Sequence, residues 1–367
     1  MKITFKKDKE KAEILQAIAS KNRDESRAAQ EAFAALVGPV IPQVLDQAMT
    51  SKAIYTDIPY NMDEVPTIPR DLYTDNTEGL FTVWSQSTPG GAATNEVWGS
   101  DEYRFKTYSL DSAISFSQVY ARQSRMDVVS KGIQRLAQEI LVKTEYQAWN
   151  TVLTALAEAR KDDGDNHILA ASTAGNFQLD DVNRLWTFVK RLRTSWAGGT
   201  PVNAPGRGLT DLFVSPEVTQ KIRAMAYNPV NTTAVPNTDE STALGLPDAM
   251  RERIYTQAGM PEIFGVKINE LVELGVGQIY NTIFDSVYSP SGGDVTFDGA
   301  TQEIILGFDL SLESAIRVIA ADSDTGSTFQ LEPDDQFISR AKRFGWYGSM
   351  EEGRMVLDNK AFIGLVK

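Results

Sequence analysis

The chain has 367 residues, 42% of them hydrophobic, which is enough apolar material for one large domain or two ordinary ones. It carries 36 basic and 49 acidic residues, and the resulting net charge of −13 repels phosphate, which disfavours a nucleic-acid-binding protein. Cysteine is absent and His167 is the one histidine, so thiol nucleophiles, disulfides, thiolate zinc sites and histidine-rich metal sites are excluded.

The first fifty residues are predicted to form an arm of bent helices. Two short apolar stripes recur at three- and four-residue spacing, and Pro39 and Pro42 interrupt the second stripe. The longest apolar run, AFAALVGPVIP, is too short to cross a bilayer, and no apolar stretch of the signal-peptide type follows the basic N-terminus. The sequence therefore predicts a soluble protein that is made in the cytoplasm.

Residues 51–120 are predicted to form a long hairpin. Two extended segments, GLFTVWSQS and DEYRFKTYSLDSAISFSQV, flank the stretch TPGGAATNE, whose proline and glycines predict a turn. In the return strand Tyr103 and Phe105 point to one side, and Arg104 and Lys106 point to the other. Because a two-stranded ribbon alone is marginal in water, its apolar side needs cover, and a partner subunit is one source.

The remaining sequence predicts a mixed body of helices and strands. The segment MDVVSKGIQRLAQEILVKTEYQAWNTVLTALAEAR predicts a helix of about nine turns with one buried stripe. A second amphipathic helix is predicted for NFQLDDVNRLWTFVKRLRTSW, and LTDLFVSPEVTQKIRAM predicts a strand followed by a helix. The segments IFGVKINEL, GQIYNTIFDS, TQEIILGFDLSLESAIRVIAAD and STFQLE predict further strands. The proline-rich stretch 227–262 is predicted to be a long surface loop.

No motif predicts an active site. Asp163, Asp165 and His167 stand at alternate positions, as at the start of a calcium loop, but Ile168 occupies the place of the glycine turn. In the acidic stretch DSDTGSTFQLEP, Pro333 stands where the closing glutamate is needed. The glycine pairs match neither a Walker loop nor a dinucleotide fingerprint, and there is no Gly-x-Ser-x-Gly elbow. We therefore expect solvated loops, an exposed His167, and no catalytic, cofactor-binding or metal-binding residue.

The end of the chain, SRAKRFGWYGSMEEGRMVLDNKAFIGLVK, allows two interpretations. Basic residues alternate with aromatic ones, as in a surface that stacks on bases. The same alternation predicts two strands joined by a turn near SMEEG, and Glu351 and Glu352 place negative charge inside the basic stripe. Because both the net and the local charge oppose phosphate, the structural interpretation is preferred, with the charges paired within or between subunits.

The order of these elements resembles the major capsid protein of tailed bacteriophages, which has the Hong Kong 97-type fold. PEIFGVKIN at 261–269 is similar to the family's strand entry into the axial domain, and GFDLSLESAIRV at 307–318 resembles the turn and strand that return to the peripheral domain. The segment DQFISRAKRFGWYGSMEEGRMVLDNKAFIGL resembles the family's closing pattern, which ends in an alanine-aromatic strand, here Ala361 and Phe362. The resemblance extends from about residue 25 to the end of the sequence.

This resemblance implies an α+β fold in five parts. They are an N-terminal arm (1–50), an extended β-hairpin loop (51–120), a peripheral domain with a long spine helix (121–204), an axial α/β domain (205–306), and the return strands of the peripheral domain with the C-terminal strand (307–367). The hairpin is expected to supply the contacts between subunits. Its candidate contact residues are Phe81, Val83, Trp84, Trp98, Tyr103, Arg104, Phe105 and Lys106.

The resemblance also implies a structural protein and not an enzyme. Copies are expected to assemble in the host cytoplasm into pentamers and hexamers of an icosahedral virion capsid that encloses double-stranded DNA. The implied partners are other copies, a separate scaffolding protein, a portal, a cement protein and non-specifically contacted DNA, with no cofactor and no membrane. Covalent cross-linking through the loop, which some members use, is not expected because no lysine lies between Lys52 and Lys106.

Two other classes remain open at this point. An encapsulin-like nanocompartment has the same fold but encloses enzyme cargo, and the long 51–120 insert favours a virus because such shells have shorter loops. A cytosolic enzyme or carbohydrate-binding protein of mixed α/β type is the other alternative, and the lack of catalytic residue types disfavours it.

Overall fold

The computed structural model describes residues 9–20, 22–38, 40–69, 102–160, 166–192, 208–227, 262–311, 313–322, 327–334 and 342–367. The helices are α1 (Lys9–Ile18), α2 (Arg23–Val37), α3 (Val40–Ala48), α4 (Gln118–Arg122), α5 (Met126–Glu158), α6 (Leu179–Leu192), α7 (Pro216–Tyr227) and α8 (Ile279–Val287), with short 3-10 helices at Ser51–Ala53 and Asn359–Ala361. The strands are β1 (Thr56–Asn61), β2 (Thr67–Pro69), β3 (Glu102–Arg104), β4 (Thr107–Ser117), β5 (Ile168–Ala170), β6 (Asp211–Val214), β7 (Glu262–Ile263), β8 (Val266–Glu270), β9 (Ile304–Phe308), β10 (Ala315–Ala321), β11 (Gln330–Pro333), β12 (Arg343–Val356) and β13 (Phe362–Val366).

The chain divides into two compact units, each made of separate segments. The first unit comprises Met1–Ile68, Tyr103–Ala148 and Ile316–Met355, and the second comprises Pro69–Glu102, Trp149–Ala315 and Val356–Lys367. The chain passes from one unit to the other within α5 and again at the start of β10. Both units mix helices with strands, which confirms the mixed α and β class. The five-part division with its residue boundaries stays a prediction.

The first unit is built on a five-stranded sheet. Its strands follow the order β1-β10-β12-β11, and β4 pairs with β12 as well. β1 is parallel to β10, whereas β4 and β11 are both antiparallel to β12. Side chains from α1, α2, α3 and α5 form one apolar core with this sheet, in which the Phe33 and Trp346 rings lie 4.8 Å apart. The indole Nε1 of Trp346 also donates to the Gln30 carbonyl at 3.3 Å, which ties β12 to the arm.

Helix α2 of the arm begins at a capping side chain that is followed by acidic residues. Asn22 caps α2 by accepting from the Asp24 amide at 3.2 Å, and acidic residues occupy the first turn of this helix. By length and composition, the stretch Asp24–Ala48 is apolar enough to cross a membrane, and among the described residues no other helix is. Its apolar side chains, such as Phe33 and Ile41, lie in the core of the first unit. A buried core helix passes the same test, so this stretch does not indicate a membrane span.

The long central helix is predicted correctly. α5 runs without a break over 33 residues, and it buries the predicted stripe, from Val129 through Ile133 and Ile140 to Leu156. The second amphipathic helix is confirmed as α6, with acidic residues in its first turn and basic residues in its last. Both predictions succeed because the apolar positions repeat at the period of an α-helix over several turns.

The prediction of a turn within the chain's last segment is wrong. β12 continues through SMEEG as one strand of 14 residues, and its partner β4 pairs with it from Arg343 to Gly353. The polar residues of SMEEG keep the alternation of a strand, with Met350 and Glu352 buried and Ser349 and Glu351 only half-buried. The apolar C-terminal segment forms β13, whose five buried residues belong to the sheet of the second unit.

The second unit is built on a six-stranded sheet in the order β5-β13-β9-β6-β8-β7. The pairs β5–β13 and β6–β8 are parallel, and the pairs β9–β13, β6–β9 and β7–β8 are antiparallel. Trp149, in the last third of α5, is fully buried in this unit, and its ring lies 5.3 Å from Phe213, 5.2 Å from Tyr280 and 6.3 Å from Phe308. Aromatic contacts therefore fix the end of the long helix against β6, β9 and α8.

The segment GQIYNTIFDS forms helix α8, so the prediction of a strand there is wrong. Its β-branched and aromatic residues suggest a strand, yet the buried residues Tyr280, Ile283 and Phe284 stand at helical spacing. The predicted strand and helix in LTDLFVSPEVTQKIRAM are confirmed as β6 and α7, where Ser215 Oγ accepts from the Val218 amide at 3.2 Å. The later strands are confirmed as β8, β9, β10 and β11, and most of the predicted 227–262 loop lies outside the described residues.

His167 is fully buried, so the prediction of an exposed histidine is wrong. Its Nδ1 lies 3.2 Å from the Phe362 carbonyl, and its own carbonyl accepts from the Gly364 amide at 2.9 Å. The neighbouring Asn166 side chain donates to the Tyr288 hydroxyl at 2.5 Å. The polar residues around His167 in the sequence suggest an exposed loop. In the structure His167 directly precedes β5, which pairs with the C-terminal strand β13. Burial lowers the pKa of His167, although nearby backbone carbonyls oppose this effect.

The second unit is expected to lose stability as the pH falls from 6.5. The pKa of folded His167 lies below its ordinary value of 6.5, so the unfolded chain takes up the proton first and the free energy of unfolding decreases through this window. Urea unfolding between pH 8 and pH 5.5 measures this slope. Because the chain has one histidine, His167→Gln should remove the slope above pH 5.5. An unchanged slope in the variant would contradict the assignment.

Candidate assembly surface at the base of the hairpin

Four of the eight candidate contact residues, 103–106, lie at the base of the predicted hairpin. β3 pairs with β2 across the segment 70–101, and the Phe105 amide donates to the Pro66 carbonyl at 3.1 Å. Phe105 is buried and Tyr103 is half-buried, whereas Arg104 and Lys106 are exposed. The predicted alternation of one apolar and one charged side is therefore present here. The other four candidates, Phe81, Val83, Trp84 and Trp98, lie outside the described residues.

Phe105 is covered by its own chain. Only 5% of its surface remains exposed in the isolated subunit, so its ring does not need a partner for cover. A Phe105→Ser variant would remove a buried apolar side chain and would lower the free energy of unfolding by about 3–5 kcal/mol, the range for truncation of a buried phenylalanine. Arg104 and Lys106 are therefore the better positions for a test of contacts between subunits.

A buried charge cluster lies in the strands that follow this base. Glu352 on β12 is fully buried, and its Oε2 accepts from Arg317 Nε at 2.8 Å and from Arg354 Nη2 at 3.2 Å. Its Oε1 accepts from the Tyr108 hydroxyl on β4 at 2.5 Å. The side chains of Arg317 and Arg354 are 5% and 2% exposed. One carboxylate thus joins β4, β10 and β12.

Other elements complete the cluster. Arg317 Nη1 lies 3.6 Å from Asp57 Oδ1 on β1 and 3.9 Å from Asp46 Oδ1 on α3. Arg354 Nη1 donates to the Thr144 carbonyl on α5 at 2.5 Å. Burial raises the pKa of Asp57, and the Arg317 charge partly offsets this rise. Burial and the Glu352 carboxylate also raise the pKa of Tyr108, which therefore stays a hydrogen-bond donor.

A second anchor fixes the point where the arm meets β1. Glu145 on α5 accepts from Thr50 Oγ1 at 2.5 Å, from Ser51 Oγ at 2.9 Å and from the Ser51 amide at 3.3 Å. The Tyr55 hydroxyl donates to the Ala148 carbonyl at 2.7 Å, one turn further along the same helix. Thr50, Ser51 and Tyr55 are therefore held on α5, and Asp57, at the start of β1, contacts the charge cluster.

Sequence reasoning missed these anchoring residues, although one signal was available. Arg317 stands in the apolar run AIRVIAA, and a charge in such a strand needs a buried partner. The partner, Glu352, comes 35 residues later, and only the pairing of strands shows that the two meet. The sequence alone suggests that the Glu352 carboxylate opposes phosphate, whereas in the structure it is a buried acceptor for two arginines.

The aromatic residues of the chain's end do not form a base-stacking surface. Phe344 and Trp346 are buried in the core of the first unit, while Tyr347 is 39% exposed. Arg354 is paired within the subunit, and Arg340 lies outside the described residues. For Phe344, Trp346 and Arg354 the structural interpretation is therefore confirmed. Among the described residues, no group of three or more histidine, aspartate or glutamate side chains is placed to hold a metal ion.

Comparisons with known proteins identify the fold. No protein-family model matches the chain, and no curated protein matches its sequence. Among solved structures, it is similar to a chain of the cyanophage P-SCSP1u capsid, with 15% identity, coverage of 87% of this chain and 88% of that chain, and a TM-score of 0.51. The mature capsid of bacteriophage PhiM1 matches at 12% identity, 86% coverage of each chain and a TM-score of 0.45. The holo-SrpI encapsulin complex from Synechococcus elongatus PCC 7942 matches at 11% identity, 72% and 75% coverage and a TM-score of 0.38.

Sequence identities this low show a shared fold and not a shared function. The fold is assigned from the P-SCSP1u match, because that match covers 87% of this chain and 88% of that chain. The family resemblance in the sequence predicts the same fold. The chain therefore has a Hong Kong 97-like fold, which it shares with a chain of the cyanophage P-SCSP1u capsid.

Proposed function

We propose that the chain is a major capsid protein, which assembles into pentamers and hexamers of an icosahedral shell around double-stranded DNA. The observation that supports this function is the fold shared with a chain of the cyanophage P-SCSP1u capsid over 87% of this sequence. The role is structural, with other copies of the chain as the main partners. A separate scaffolding protein, a portal and a cement protein belong to the same proposal, as does assembly in the host cytoplasm.

The anchored hairpin base suits this role. A closed shell built from one chain needs the same surfaces to meet in slightly different geometries. The charge cluster joins β4, which directly follows the base of the hairpin, to β10 and β12, and the Glu145 anchor holds the segment before β1 on α5. In this proposal, 121–204 and 307–367 form the peripheral domain with its spine helix, and 205–306 form the axial domain. The hairpin is proposed to contact a neighbouring subunit.

Reversing the exposed charges at this base is expected to block assembly without unfolding the subunit. Like charges that meet across an interface cost several kcal/mol, so Arg104→Glu with Lys106→Glu should lower the yield of shells by at least about tenfold. Both side chains are exposed, so the urea midpoint of the unassembled chain should not change. Sedimentation through a sucrose gradient measures the shell fraction.

The matched control is Arg104→Lys with Lys106→Arg, which keeps both charges and should retain the wild-type yield. Wild-type yields from the charge-reversed variant would exclude these two residues from the contacts. The proposed function itself requires fast-sedimenting particles from the wild-type chain, either alone or with a scaffolding protein. Particles that contain enzyme cargo and no DNA would identify a nanocompartment instead.

A further inference from the structure

Strand β4 forms an open edge of the five-stranded sheet. In the part of the chain that the structure describes, β4 pairs with β12 alone, and the register runs without a bulge over all 11 residues of β4. The Gln118 amide donates to the Lys342 carbonyl at 3.0 Å, which continues the bonded pairs, so the even-numbered residues of β4 bond to β12. The amides and carbonyls of its odd-numbered residues, 107 to 117, therefore point towards the open edge.

This edge lacks the features that usually protect an edge strand. Such strands are commonly short, bulged, interrupted by proline or charged with lysine. The sequence of β4 is TYSLDSAISFS, in which Asp111 is the one charged residue and proline is absent. Ser109, Asp111 and Ala113 are exposed, and the apolar side chains of Leu110 and Ile114 are only half-buried against the core of the first unit. An edge of this length and composition is a template for one more strand.

The edge of β4 is complementary to itself in the antiparallel direction. Its central residue is Ser112, and a two-fold axis at Ser112 aligns all 11 residues of two copies. In this register the odd-numbered residues pair with each other, as their open hydrogen-bonding groups require. Asp111 then lies opposite Ala113 of the second copy, so no like charges meet, and Leu110 lies beside Ile114 of the second copy on the apolar face. An axis at Asp111 would instead place two carboxylates opposite each other.

We propose that the unassembled chain forms a two-fold symmetric dimer, in which the β4 edges of two copies pair as antiparallel strands about Ser112. Backbone hydrogen bonds then join the two five-stranded sheets into one continuous sheet, and the half-buried apolar side chains of both edges gain cover. Because the contact uses the same edge of both copies, association through β4 stops at two subunits. The inference does not depend on shell formation, because it concerns the free chain.

A cysteine at the two-fold axis tests the pairing directly, because the chain has no cysteine of its own. Residues in a non-hydrogen-bonded antiparallel pair have Cα atoms about 4.5 Å apart, within the range that a disulfide spans. Ser112→Cys should therefore form a disulfide-linked dimer when oxidised glutathione is added. Ser109→Cys is the matched control. Ser109 is more exposed than Ser112, but it lies opposite Ser115 of the second copy, so its dimer should form at least about tenfold more slowly. Non-reducing electrophoresis over time measures both rates.

Charge next to the axis tests the register. Ala113→Asp places an aspartate opposite Asp111 of the second copy at two equivalent places, and it should weaken the dimer at least about tenfold. Asp111→Lys combined with Ala113→Asp turns both repulsive pairs into attractive ones and should restore the dimer. Ala32→Asp adds the same charge at an exposed position of α2 and should leave the dimer unchanged. Sedimentation velocity without scaffolding protein measures the dimer, at twice the subunit mass of 40.5 kDa.

Three results would each overturn the inference. They are a wild-type chain that stays monomeric at every concentration below the onset of shell formation, equal rates of cross-linking for Ser112→Cys and Ser109→Cys, and a dimer that Ala113→Asp leaves as stable as Ala32→Asp does. The inference and the proposed function can fail separately. A dimer that never proceeds to shells, even with scaffolding protein, contradicts the proposed function and leaves this inference intact. Shells that form from a monomeric chain do the reverse.

Discussion

The Glu352→Gln substitution is expected to lower the free energy of unfolding by about 3–5 kcal/mol, the range for breaking a buried ion pair from one side. Glu352 is the shared acceptor of Arg317 and Arg354, and both arginines are nearly inaccessible to water. Glutamine keeps the size of the side chain but removes its charge, so two guanidinium groups lose the carboxylate that offsets their burial. Equilibrium urea unfolding of the unassembled chain measures the loss.

Glu351→Gln is the matched control, because Glu351 is the adjacent carboxylate on β12 and is only half-buried. It should lower the free energy of unfolding by about 1 kcal/mol or less, because Glu351 is half-buried and interacts with the neutral Tyr60 hydroxyl. Replacing Glu352 and Arg354 together should cost less than the sum of the two single losses, because the residues interact directly. Equal stability of Glu352→Gln and Glu351→Gln would show that the cluster does not stabilise the first unit.

Trp149→Ala is expected to lower the free energy of unfolding by a similar amount, about 3–5 kcal/mol, because it leaves a cavity in the second unit. The Trp149 ring is fully buried among Phe213, Tyr280 and Phe308. These aromatic residues come from two strands and a helix that are distant in sequence, so the structure around the cavity cannot close without moving several elements. Denaturant unfolding followed by circular dichroism measures the loss.

Val142→Ala on the same helix is the control for Trp149→Ala. Val142 is 61% exposed, and both residues lie within α5, so a general effect on the helix would appear in both variants. We expect no significant change from Val142→Ala, because alanine favours a helix and little apolar contact is lost. A Trp149→Ala variant as stable as Val142→Ala would exclude the aromatic cluster as the anchor of the helix end.

Sequence reasoning predicted the elements whose periodicity extends over several turns or whose apolar run is continuous. α5 and α6 are of this kind, as are the buried strands β9 and β10. It failed where composition and spacing disagree: α8 has strand-forming residues at helical spacing, and β12 has a polar stretch that suggests a turn. In both places tertiary packing decides the structure, since the buried face is apparent only when its partners are known.

The candidate assembly surface was predictable in part. The alternation of Tyr103, Arg104, Phe105 and Lys106 follows from the period of a strand, and the structure shows it. That Phe105 is covered by its own subunit was not predictable, because the period of a strand gives the side to which a residue points and not what covers it. The same limit applies to Glu352 and Arg317, which are distant in sequence and meet through the sheet.

Multi-angle light scattering of the purified chain on size-exclusion chromatography, followed by electron microscopy of the fast-eluting peak, tests the central claim most directly. The proposed function predicts uniform, closed particles with five-fold and six-fold clusters on their surface, formed by the chain alone or with a scaffolding protein. A compact monomer of 40.5 kDa at every salt and protein concentration, even with scaffolding protein supplied, would contradict the claim that this chain builds a shell.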